Sequence, residues 1–257
     1  MFRSRRRLLA SALLALALAV VPGFTLANHS WGGYHWARTS SPFTLQVGDN
    51  VSSAWDPYLN EAIADWSAST VLDLTRVEGG TRPKPCKGTT GRIEVCNAAY
   101  GNTGWLGIAQ IWITGGSHIT KAITKVNDSY FNTPTYNTPA WHRLVMCQEI
   151  AHDFGLDHQD ENFNNGNLGS CMDYTSDPDG PPSNEHPNAH DFAQIEAIYA
   201  HLDSTTTVGM VANGSGNAAA ASEWGRLIHS SGGGGTSVYR FDLGNGQSVL
   251  THVIWAR

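Results

Sequence analysis

Charge is scarce in this chain, and charge of positive sign is scarcer still. Only 15% of its 257 residues are Asp, Glu, Lys or Arg, with 16 basic against 22 acidic. Four of the basic residues, Arg3, Arg5, Arg6 and Arg7, crowd the N-terminus; without them 12 basic residues remain, and the formal net charge moves from −6 to −10. That balance excludes an electrostatic binder of nucleic acid or of anionic membrane. Internal repeats are absent. Beyond residue 27 no segment is apolar enough to cross a bilayer. Cysteine is limited to four residues, which allow three pairings.

The one long apolar run, Leu8 to Val21, follows the arginine cluster and precedes Thr25-Leu26-Ala27. This is the layout of a signal peptide over residues 1–27, too short for a comfortable span, and it implies a secreted, extracellular protein whose cysteines pair outside the cell. Arg5-Arg6-Arg7 has some twin-arginine character, but disulfide formation after export favours the general secretory route. The remainder divides into a main domain over 28–203, a Gly-, Ala- and Ser-rich flexible linker over 204–236, and a β-hairpin over 237–257 around Gly244-Asn245-Gly246. Such a hairpin is marginal alone and is expected to pack through Tyr239, Phe241 and Trp255 on the main domain or on a partner.

Within the main domain, Phe43 to Val47 alternates as a strand and Asp56-Pro57 opens a helix with Leu59, Ile63 and Trp66 on one face. Strands are expected over Val71–Val77, Gly91–Cys96, Leu106–Thr114 and Ile119–Val126. Thr138 and Pro139 cap and start a second long helix, on which Leu144, Cys147, Ala151 and Phe154 recur at helical spacing. Asn188 or Asp191 caps a last helix carrying Phe192, Ile195, Tyr199 and Leu202.

That second helix carries Gln148-Glu149-Ile150-Ala151-His152-Asp153-Phe154-Gly155-Leu156-Asp157-His158. It matches the zinc-protease pattern H-E-x-x-H-x-x-G-x-x-H at every defined position but the first. Residues 148 and 152 lie one turn apart on one face, so two ligands there can share an ion. Gly155 can take the left-handed conformation that ends the helix and returns His158 to the same point. Glu149 is then placed as general base for a water on the metal.

With these residues the chain resembles the metzincin zinc endopeptidases, which pair the long histidine motif with a later methionine turn. Ser170-Cys171-Met172-Asp173-Tyr174 is similar to that turn in its astacin and serralysin form, while the upstream order resembles a matrixin catalytic domain. The resemblance implies an α+β zincin fold: a twisted mixed sheet with an antiparallel edge strand, the active-site helix, the Met-turn and a C-terminal helix. It implies one catalytic Zn2+ on His152 and His158 with Gln148 as a weak third ligand, Met172 as the floor, and Tyr174 steadying the oxyanion. It further implies that the free edge of Leu106–Thr114 holds an extended peptide by strand addition. Cys147 precedes the first ligand position and Cys171 precedes Met172, so a Cys147–Cys171 bridge would clamp helix to turn and leave Cys86–Cys96 to close a short loop. If not Gln148, then Tyr174, Asp157, Asp160, His142, His186 or His190 completes the shell, although His190 reads better as a capping or surface residue. His29, His35, His118, His201, His229 and His252 read as surface or structural residues. A structural Ca2+ ion is a further cofactor to look for.

No folded prodomain is expected between the signal peptide and the first strand, and no cysteine is expected there to block the zinc. The function expected is a monomeric, secreted zinc endopeptidase acting on peptides or proteins, competent once folded and metallated. The alternative is an inactive metal- or peptide-binding pseudoprotease on the same fold.

Overall fold

The computed structural model describes residues 29–211 and 224–257; the expected signal peptide and the middle of the expected linker lie outside them. The described chain is an α+β fold on one mixed sheet. Its elements are β1 (His35–Trp36), β2 (Phe43–Asn50), α1 (Asp56–Trp66), β3 (Leu72–Glu78), β4 (Ile93–Ala98), β5 (Trp105–Thr114), β6 (His118–Asn127), α2 (Asp128–Phe131), α3 (Pro139–His152), α4 (Ala189–Ile198), β7 (Arg226–Ser230), β8 (Thr236–Gly244) and β9 (Gln247–Trp255). The strands run in the order β3-β2-β4-β6-β5-β9-β8-β7, with β1 added beside β6. Strands β3, β2, β4 and β6 are parallel neighbours, and everything from β5 onward is antiparallel.

Local chemistry places the helix that matters most. The Thr138 side chain accepts from the Trp141 N–H and Pro139 occupies the first turn of α3, where its missing N–H costs nothing. Residues 144 to 152 are all buried, as expected of a helix sandwiched between layers. The helix stops because Gly155 adopts φ +100°, with Leu156 N–H donating to the Ala151 carbonyl and Gly155 N–H to that of His152. A Cβ on Gly155 would also collide with the Tyr34 carbonyl. Helix α3 packs on α1, β5 and β6. Trp66 of α1, fully buried, donates Nε1–H to the Cys147 carbonyl at 3.1 Å, and truncating it would cost about 3–5 kcal/mol. Both disulfides, Cys86–Cys96 and Cys147–Cys171, are formed. The second ties α3 to the turn bearing Met172, and closing a loop of that size is worth about 3 kcal/mol.

Two expectations need correction. Strand β5 is antiparallel to β6, but it is not an edge. Strand β9 covers its other side, from Trp105 opposite Trp255 to Ile113 opposite Ser248. An open edge leaves backbone groups unpaired and a lone hairpin is unstable, so docking one on the other removes both problems. The stretch 204–236 is also not all linker, because Arg226–Ser230 forms β7 along β8. A smaller difference is the end of α4 at Ile198, before Leu202. No helix among the described residues is long and apolar enough to cross a membrane.

Candidate metal centre

The side chains of β9 alternate across the sheet. Leu250 and Ile254 pack into the main core while Val249 and Val253 join two smaller clusters on the other face. His252 therefore points with Leu250 and Ile254 toward α3. It lies opposite Ala109 in the β5–β9 register, where Gly107 lets β5 approach Glu149: a Cβ there would sit 2.8 Å from both Cγ and Oε1 of Glu149. The result is a buried cluster of His152, His158 and His252, whose potential ligand atoms all lie within 4.8 Å of one another.

The orientation of each ring is fixed from behind. His152 Nδ1 is 2.8 Å from the Leu156 carbonyl, and His158 Nδ1 is 3.0 Å from the Tyr174 hydroxyl. His252 Nδ1 is 3.2 Å from Glu149 Oε2. The Leu156 carbonyl assigns the proton of His152 to Nδ1, and the Tyr174 hydroxyl, which donates to Thr236, accepts from that of His158. With Nδ1 engaged, each of the three rings turns Nε2 inward, the arrangement that outer partners impose on metal-bound imidazole. His152 and His158 face each other Nε2 to Nε2 at 3.1 Å, close to the roughly 3.3 Å that two tetrahedral ligands at about 2.0 Å from zinc require. His252 Nε2 is buried without a partner. Trp31 lies edge-on to His152 and His252. Burial, and then the neighbouring His158, lower the pKa of His152 to about 3; burial also holds His252 well below the usual range. Both rings are thus neutral, the form that ligates. Burial would lower His158 too, but Asp157 and Glu161 outweigh it and hold it above its ordinary value.

Glu149 is fully buried; burial, with Asp153 nearby, pushes its carboxyl well above the usual range, and the Ala109 N–H offsets this in part. Its Oε1 has no hydrogen-bond partner. Gln148 donates from its amide to the Cys171 carbonyl at 2.8 Å, which leaves its Oε1, the atom expected to act as a weak ligand, buried and unpaired. Tyr174 does not face open space, since its hydroxyl lies between His158 and the Thr236 hydroxyl of β8. Met172 is fully buried, its N–H held by the Ser170 hydroxyl. The other proposed third ligands are engaged elsewhere: His142 stacks on Tyr58, His186 pairs with Asp65, His190 stacks on His29, and Asp160 caps the Asn162 turn. Asp157 touches His158 on its Nδ1 side.

The sequence reasoning missed His252 and Thr236. The available signal was a lone polar residue flanked at two-residue spacing by Leu250 and Ile254, on the core face of its strand. The buried cluster offers three imidazoles, a donor set suited to zinc. Beyond the Trp255 end of β9 lies an apolar cavity of about 290 Å³, lined in part by Leu106, Tyr136, Trp141 and Ile254.

No protein-family model matches the chain, and no curated protein matches it. Among solved structures it is similar to myroilysin, at 12% identity over 68% of this chain and 99% of that one, with a TM-score of 0.39. It is also similar to high choriolytic enzyme 1, a hatching enzyme zinc-protease from Oryzias latipes (medaka fish), at 11% identity over 65% and 94%, with a TM-score of 0.36.

Proposed function

We propose that this is a secreted zinc-dependent peptidase of metzincin type whose peptide groove holds the protein's own C-terminal strand. The observation that carries the reading is the convergence of three buried imidazoles beside the Glu149 carboxylate. His152, His158 and His252 would hold the ion through Nε2, with each Nδ1 braced from behind. Bound there, zinc would supply Lewis-acid chemistry, activating water and polarising a peptide carbonyl. Glu149 is the group that moves the proton, because its raised pKa and free Oε1 suit a general base that later acts as acid. Tyr174 positions His158 in this arrangement instead of meeting an oxyanion. Gln148 Oε1, one helical turn from His152, is the neutral donor that remains when His252 withdraws with β9.

A peptide would reach the centre once β9 leaves β5, pairing with the strand so exposed and seating an apolar side chain in the cavity at its end. The test is chelator-sensitive cleavage of an unstructured protein by the zinc-loaded chain. Glu149→Gln, which keeps an acceptor for His252, should retain zinc and lose cleavage. A second reading, a zinc-binding protein without turnover, is favoured by the covered groove and by the complete burial of Glu149. Zinc bound with no cleavage under any condition that releases β9 would decide for it.

A further inference from the structure

A second group of metal-competent side chains sits at the start of β6, apart from the buried histidine cluster. His35 and His118 are register partners in the parallel pairing of β1 with β6, so their relative position is set by backbone hydrogen bonds. His201 and Asp203 follow α4. Arg38 holds that segment in place, its guanidinium donating to the carbonyls of Tyr199 and His201 and its backbone N–H to Asp203 Oδ2 at 3.0 Å. Asp203 Oδ1 is thereby left facing the histidines. It lies 3.2 Å from His118 Nε2, 3.6 Å from His35 Nε2 and 3.7 Å from His201 Nε2, and the last two nitrogens are 3.2 Å apart.

These separations are informative. Two of the three to Asp203 exceed hydrogen-bond length, yet all four scatter around the roughly 3.3 Å edge of a tetrahedron whose ligands stand about 2.0 Å from a zinc-like ion. His35 Nδ1 is 2.8 Å from the Gly33 carbonyl, which puts its proton there and turns Nε2 toward the group, the same bracing found in the buried centre. His35 is buried, whereas His118 and His201 are partly open to solvent, which gives an ion a way in.

We propose that His35, His118 and Asp203, whose ligand atoms lie within 4.8 Å of one another, form with the adjacent His201 a second, structural site for a zinc-class divalent ion, joining the N-terminal strand, the start of β6 and the segment after α4. Two imidazoles and one carboxylate, drawn from three separate segments with a third imidazole beside them, make a staple, the type of site that contributes folding energy. The site is independent of the peptidase reading, since none of its residues touches the buried cluster.

The test is zinc per chain after chelator stripping, reloading and dialysis, on the wild type and on His118→Ala with His201→Ala, whose partly exposed side chains can be removed without a cavity. Two equivalents falling to one is the expected result. Asp203→Asn should lower affinity at the same equivalent at least tenfold. In thermal melts, zinc should stabilise the wild type more than the double variant. Whatever the occupancy of the buried centre, a double variant that binds as much zinc per chain as the wild type would overturn the proposal.

Discussion

The two histidine clusters differ in how their ligands are gathered and how wet they are. The buried centre takes His152 and His158 from one eleven-residue stretch and only His252 from afar, 103 residues beyond Glu149. The rim cluster draws His35, His118 and Asp203, with His201 beside them, from three separate segments. In the buried centre every imidazole has its Nδ1 braced and water is excluded; at the rim His201 is half exposed. Burial makes the first cluster sensitive to each partner behind its ligands, whereas the second depends on the strand pairing and on the Arg38 clamp. A centre able to polarise a substrate needs the first kind of environment; a staple needs only the second.

The contrast can be broken experimentally. The largest effect expected is on turnover: Glu149→Gln should lower cleavage by about 100-fold or more, as loss of a general base does, while zinc content stays the same. No change in rate would remove Glu149 from the mechanism. Next is metal dependence of stability. At a free zinc concentration near 100 times Kd, each occupied site should add about 2.7 kcal/mol, so calorimetry with and without chelator should find two such increments in the wild type and one in His118→Ala with His201→Ala. Smaller again is Thr236→Val, which leaves the Tyr174 hydroxyl without its buried acceptor and should cost about 1–3 kcal/mol in denaturant melts. Smallest is Gln148→Ala, which should leave the zinc affinity of the intact chain within about twofold and cost about 1 kcal/mol for the lost bond to the Cys171 carbonyl.

Local chemistry made much of this fold readable. Thr138, Pro139 and Gly155 bound helix α3 through capping rules that act within a few residues, and β2, α1 and β6 fall within three residues of their expected limits. The position of Cys147 and Cys171 beside the two motifs anticipated their bridge. What escaped were pairings between distant segments. Nothing local in Ser248 to Trp255 specifies β5 as its neighbour, so the expected open edge was wrong and His252 passed for a structural residue. The rim cluster was hidden for the same reason: His35 and His118 become neighbours only through β1–β6 pairing, and His201 and Asp203 arrive by way of α4. The same long-range contact would account for the odd residue Gln148, if the imidazole missing from the helix is supplied by His252 of the C-terminal strand as proposed.

That exchange is most directly tested by zinc affinity at the buried centre, measured by chelator competition on His252→Ala and Gln148→Ala side by side, with folding checked by circular dichroism. A loss of more than about 100-fold in His252→Ala, beyond what removal of an outer partner costs, with Gln148→Ala near wild type, is the predicted result. Wild-type affinity in folded His252→Ala, with the loss falling on Gln148→Ala, would contradict it and return the third ligand to the helix.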